Sequence, residues 1–209
     1  PFFHHTPRRF ATLQEAIAAN TAGRLDACLP EVGFALARGP MTSRLVDLLA
    51  AGELPERVTH NDTKINNVMI DDADGRGVCV IDLDTVMPGT MLYDFGDQVR
   101  TTTATAAEDE RDLSRVQFRM DLFEQLVQGC LDAGRDVLVP AEIENLAFSG
   151  RLITFEIGMR FLTDYLQGDV YFRTHRPGHN LDRARTQFEM VRQMEARSAE
   201  MERTVARFR

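Results

Sequence analysis

THNDTKINNVMIDDADGRGVCVIDLDTV, the stretch from Thr59 to Val86, decides how this chain is read. Arg57-Val58-Thr59-His60 reads as a short strand entering a polar loop, and Asn67-Val68-Met69-Ile70-Asp71 as a second strand leaving it. Asp72, Asp74, Gly75 and Gly77 supply turn chemistry, and Val78-Cys79-Val80-Ile81 then forms a third strand ending at Asp82. A small sheet with these strands gathers Asp62, Asn67 and Asp82 at one end.

Within the stretch, His60-Asn61-Asp62-Thr63-Lys64-Ile65-Asn66-Asn67 resembles the H-R-D-L-K-x-x-N catalytic loop of kinases. The resemblance implies that Asp62 accepts the proton of an attacking hydroxyl, a task for a carboxylate ionised at neutral pH. It places the charge of Lys64 against the transferring phosphoryl group. Asn67 offers a neutral oxygen and Asp82 a charged one, donors that suit Mg²⁺ shared with the phosphates of ATP. His60 is expected to brace the loop rather than act as the base.

Two departures separate the chain from protein kinases. Asn61 stands where they carry Arg, and Asp82-Leu83-Asp84 replaces D-F-G. Tyr93-Asp94-Phe95-Gly96-Asp97 follows within about ten residues, too few for a long activation loop. H-N-D-x-x-x-x-N with I-D-x-D and Y-D-F-G-D is similar to the aminoglycoside phosphotransferase and choline kinase superfamily. The wording is closest to N-acetylhexosamine 1-kinases and related bacterial phosphotransferases: HNDTKINNVMID, CVIDLDTVMPG, YDFGD, TAAEDERDLS and RFLTDYLQGDVYF carry the likeness from Val58 to Arg173. It implies transfer of the γ-phosphate of ATP to the anomeric hydroxyl of an N-acetylhexosamine, with Arg160 and Tyr171 contacting the sugar.

The expected fold is α+β and mainly helical, a kinase-like carboxy-terminal lobe with a small β-hairpin or sheet carrying the catalytic loop. Residues 1–209 form one domain: leading helices over 1–56, a catalytic and metal-binding segment over 57–97, and a helical subdomain over 98–209. Phe10 to Ile17 and Met41 to Ala51 have helical composition and spacing, and no G-x-G-x-x-G precedes the catalytic loop. The chain starts at Pro1, so it is expected to be a lobe cut from a longer protein, its amino-terminal nucleotide-binding lobe missing, and inactive or weakly active alone. Two alternatives stand beside this reading: a non-catalytic binding or regulatory module, or a kinase of another small alcohol such as choline, an aminoglycoside or homoserine.

Composition fits one soluble domain: 209 residues, 44% hydrophobic and 27% charged, enough to bury a core without staples. A net charge of -8 argues against nucleic acid or an anionic membrane as partner. No apolar run approaches a membrane span. Cys28, Cys79 and Cys130 are few, distant and odd in number, as expected for the cytoplasm.

Downstream, apolar spacing predicts helices over Asp112 to Ala133 with Gly134 as the stop, from Pro140 to about Gln167, and from Leu181 to about Arg207. Residues Phe172 to Leu181 read as a loop. Several side chains keep two readings. Asp84 touches metal or only holds a turn, and Asp94 anchors the catalytic loop or caps the next helix. Arg160 binds sugar or joins Glu156 and Asp164 in an i, i+4, i+8 ion-pair ladder. Tyr171 stacks on sugar or covers the core. His175 and His179 have a spacing that fits a metal but lack further ligands, and His4 and His5 are taken as terminal residues without a role.

Overall fold

The computed structural model describes residues 3–209. Eight α-helices and four short strands follow one another among these residues: α1 (Thr6–Ala19), α2 (Leu29–Leu36), α3 (Arg44–Ala50), β1 (Arg57–Thr59), β2 (Val68–Ile70), β3 (Gly77–Val80), β4 (Met87–Gly89), α4 (Met91–Thr102), α5 (Met120–Gly134), α6 (Pro140–Gln167), α7 (His179–Ala196) and α8 (Ser198–Phe208). This is the expected α+β, mainly helical arrangement, compatible with a kinase-like carboxy-terminal lobe.

Helix α6 is the axis of the body. Its 28 residues reach about 42 Å at the α-helical rise, and from Leu146 to Leu166 almost every side chain is buried. Pro140 sits in its first turn, and Gly168, with φ 101°, ends it in a left-handed turn. Glu142 is fully buried near its start, accepting from Val139 N at 2.9 Å and from both Arg57 Nε and Nη2 at 2.6 and 2.7 Å. That forked ion pair fastens β1 to the helical body. Helices α1, α4 and α7 pack along α6, and leading and trailing helices share one apolar core.

The α4–α6 crossing depends on small residues. A Cβ on Gly96 would stand 2.6 Å from Ser149 O and from Ile153 Cγ1, and one on Gly150 would stand 2.7 Å from Val99 Cγ1. Gly96→Ala is therefore expected to part the helices and cost about 1–3 kcal/mol, read as a lower urea midpoint. A wild-type midpoint would refute the close-packing account.

The strands differ from expectation. They form two separate antiparallel pairs, β1 with β4 and β2 with β3, instead of one small sheet. Met87-Pro88-Gly89, for which the sequence predicts no strand, pairs with β1 in the register Arg57↔Gly89 and Thr59↔Met87. Pro88 is tolerated because a two-stranded ribbon has only edge strands. In the other pair Val68 faces Val80 and Met69 faces Cys79, and a bulge follows Met69.

Three helix boundaries also move. Asp112 caps a short 3-10 turn over Leu113–Arg115, residues 116–119 run extended beside Thr103 and Thr105, and α5 starts only at Met120. Leu113 and Val116 thus lie outside the helix expected to hold them, and Gly134 is its last residue. Within the expected loop, Gly178 at φ 73° starts α7 at His179. The last predicted helix breaks at Arg197, whose carbonyl accepts from Glu200 N and Met201 N, the first bonds of α8. Helix α8 packs on α5. Helix α2, with Pro30 in its first turn, has no counterpart among the sequence expectations.

All three cysteines are free thiols, and no helix among the described residues is long and apolar enough to cross a membrane.

Candidate active site

The loop between β1 and β2 is held from both sides. Asp94, in the first turn of α4, accepts from His60 N at 2.9 Å and Asn61 N at 2.7 Å, and its carbonyl accepts from Thr63 Oγ1 at 2.6 Å. Burial pushes the Asp94 carboxyl above its ordinary range, and the two backbone N–H donors pull it back. Anchoring is thus the geometry Asp94 adopts. The cap of α4 is Thr90, whose hydroxyl accepts from Leu92 N.

His60 braces the loop against β3. Its Nε2 donates to Ile81 O at 2.9 Å and its Nδ1 accepts from Asp62 N at 3.3 Å, which assigns the ring proton to Nε2. Thr85 Oγ1 donates to His60 O at 2.6 Å, and Asn61 Nδ2 donates to Thr85 O at 3.0 Å. Asn61 and Asp82 both take left-handed backbone, at φ 66° and 64°. Short polar side chains adopt that region more readily than others.

Asp62, Lys64 and Asn67 converge. Lys64 Nζ lies 2.6 Å from Asp62 Oδ2, and Asn67 Nδ2 donates to Asp62 O at 2.8 Å and to Oδ2 at 3.1 Å. With its amide nitrogen so engaged, Asn67 keeps Oδ1 as an uncommitted acceptor. Ile81 N donates to Asn67 O at 2.9 Å, so the residue before Asp82 is tied to both His60 and Asn67. Asp82 itself is exposed, as is Asp84, which sits in the 3-10 turn Leu83–Thr85. Among the described residues no three His, Cys, Asp or Glu gather for a metal. One amide oxygen and one carboxylate remain, a set of hard oxygen donors that fits Mg²⁺ completed by phosphate oxygens and water.

Arg160 and Tyr171 meet at a second place. The Arg160 guanidinium lies 5.7 Å from the Tyr171 ring centre and 5.3 Å from that of Phe172, in a cavity of about 120 Å³ also lined by Arg9 and Gln167. Burial holds the guanidinium below its ordinary value, and the charge of Arg9 adds to the effect. The ion-pair ladder does not form. Asp164 accepts from the backbone N–H groups of Val170, Tyr171 and Phe172 and from Asn180 Nδ2, shaping the turn that presents Tyr171. Glu156 faces His4 and Thr6.

That last contact was missed in the sequence. His4 is buried, with Nδ1 2.8 Å from Glu156 Oε1 and Nε2 3.1 Å from Asn61 O, while Thr6 Oγ1 donates to Glu156 Oε2 at 2.6 Å. Both ring nitrogens face acceptors, so both donate and the ring is an imidazolium. His4 therefore bridges α6 to the backbone beside Asp62, and no local pattern marks it. Its ring packs 5.3 Å from that of Tyr93. At the other suspected pair, His179 Nε2 bonds Asp109 Oδ2 at 3.0 Å and His179 Nδ1 accepts from His175 N, a hydrogen-bonded turn in place of a metal site.

Compared with known families, residues 1–125 match the model of APH, the phosphotransferase enzyme family.

Proposed function

The chain belongs to the phosphotransferase enzyme family, and from that premise we propose that it is the catalytic lobe of an ATP- and Mg²⁺-dependent kinase of an N-acetylhexosamine. The observation that carries this reading is the Asp62 carboxylate held against Lys64 and Asn67 on a loop fixed by Asp94 and His60. Such rigidity suits positioning chemistry, because phosphoryl transfer needs alignment and charge more than covalent help.

Asp62 takes the proton of the anomeric hydroxyl as its oxygen attacks the γ-phosphorus in line. The bond from that phosphorus to the bridging oxygen of ADP breaks, leaving ADP and a sugar 1-phosphate. Lys64, within reach of Asp62, offsets the negative charge that builds on the phosphoryl oxygens. Asn67 Oδ1 and the Asp82 carboxylate would hold Mg²⁺. When bound, the ion supplies charge neutralisation and orientation at the phosphates. Arg160 and Tyr171 recognise the sugar, the guanidinium donating to its oxygens and the ring covering a face.

A nucleotide-binding lobe is the proposed partner of the catalytic ribbon. Val78 and Val80 of β3 and Leu83 just beyond it are exposed, apolar side chains that support an ATP base and a second body lying against them. Three free thiols support a reducing, cytoplasmic setting.

A panel of acceptors tests the substrate. The full-length gene product with ATP and Mg²⁺ is expected to phosphorylate N-acetylglucosamine or N-acetylgalactosamine at the anomeric oxygen, identified by phosphorus NMR. The sugar lacking the acetamide should lose about tenfold or more in kcat/KM. Turnover confined to an amino alcohol such as choline would overturn the sugar assignment.

A further inference from the structure

On the side of the body formed by α3, α6, α7 and α8 lies a cleft of about 410 Å³. It faces the first half of α6, whereas Glu156 and Arg160 belong to the second half. Its floor is apolar, with Phe148, Met194, Met201 and Val205 all buried. Two guanidinium groups overhang that floor: Arg44 Cζ is 4.5 Å and Arg151 Cζ 5.2 Å from the centre of the Phe148 ring.

Neither arginine forms an ion pair among the described residues, and Arg151 Nε is buried without a hydrogen-bond partner. The carboxylates nearby have partners of their own, although Glu144 and Glu202 line the same cleft. Glu195 holds Arg38 through two bonds of 2.9 and 2.6 Å, Glu144 pairs with Arg209 at 3.2 Å, and Glu202 accepts from Ser198 Oγ at 3.1 Å. Burial holds Arg151 below its ordinary value; the charges of Glu195 and Glu202 oppose this, and those of Arg44 and Arg38 reinforce it. The exposed Arg44 and the half-buried Arg151 thus bring two like charges over an apolar floor, neither of them in an ion pair, and leave guanidinium donors for an anion.

We propose that this cleft binds a small amphipathic carboxylate, an organic acid with an acyl or aryl body. Its carboxylate lies between Arg44 and Arg151, where planar guanidinium donors match both oxygens. The body lies on Phe148, Met194 and Met201, and the volume is that of an ordinary small-molecule site.

Octanoate is a suitable probe. Titration calorimetry is expected to give a Kd on the order of 0.1–1 mM, the range for a ligand of that size. Octanol, which has the chain without the charge, and sulfate, which has charge without the chain, should each bind about tenfold or more weakly. Arg151→Gln should weaken octanoate by a similar factor. Ala206→Trp, at an exposed rim position, fills the cleft while leaving both guanidinium groups in place, and should abolish binding with an unchanged melting temperature. Silence with octanoate up to about 10 mM, equal binding of octanol, or wild-type affinity in both variants would each overturn the proposal.

Discussion

Asp62→Asn is expected to lower kcat by about a thousandfold, within the range that a positioned general base supplies. Asparagine preserves the shape and keeps one oxygen for Lys64 Nζ and Asn67 Nδ2, now 2.6 and 3.1 Å from Oδ2. It removes the basic oxygen that takes the hydroxyl proton. The fold should hardly notice, since the Asp62–Lys64 pair is partly exposed and such pairs contribute about 1 kcal/mol or less. Initial rates and thermal melts of the full-length product, measured together, check both halves. A variant that turns over within about threefold of wild type would remove Asp62 from the role of base.

His4→Ala has the largest expected effect on stability, about 3–5 kcal/mol, because it strands a fully buried Glu156 carboxylate. The loss has a defined pH signature. At His4, burial lowers the proton affinity, but the hydrogen bond and charge of Glu156, the Asn61 carbonyl and the charge of Asp97 raise it above the ordinary 6.5. At Glu156, burial acts upward, yet His4, Thr6 and Arg160 bring it below the ordinary 4.5. The histidine contribution is complete below 6.5 and fades as pH rises through its elevated value. That of the glutamate is complete above 4.5 and fades as pH falls through its depressed value. The wild-type advantage over His4→Ala should be greatest between those limits and shrink in alkali. Asp94 and Tyr93 lie close, so the comparison is made at each pH against the double variant His4→Ala, Glu156→Gln, which should recover part of the loss. A gap constant from pH 5 to about pH 10 would exclude the imidazolium pair.

How far the sequence could be read depended on distance along the chain. Asp62, Lys64, Asn67 and Asp82 sit within one stretch whose polar letters and apolar runs impose their own geometry, and the structure places the first three around one carboxylate. Asp94 was legible as an anchor because Y-D-F-G-D follows so soon. The same motif hides more: Tyr93 packs on His4, Gly96 lets α4 approach α6, and Asp97 holds Arg100 at 2.8 Å. His4 meets Glu156 across 152 positions, a contact that no periodicity announces. The ladder drawn through Glu156, Arg160 and Asp164 had correct helical spacing, but tertiary partners claimed both acids. β4 was obscured by Pro88 and Gly89, residues that are depleted in strands. The break at Arg197 has neither Pro nor Gly, and only packing of α8 on α5 accounts for it.

The left-handed backbone at Asn61 and Asp82 has a consequence for how the motif itself is understood. Each of these letters specifies a shape as well as a functional group. Alanine at either position would delete the side chain and also resist the φ, so an alanine scan there mixes two losses in one number. Glycine keeps the path of the chain and deletes the chemistry, while asparagine at 82 keeps the path and removes only the charge. The vocabulary open to a working variant at these two places is therefore a handful of letters before any substrate is considered.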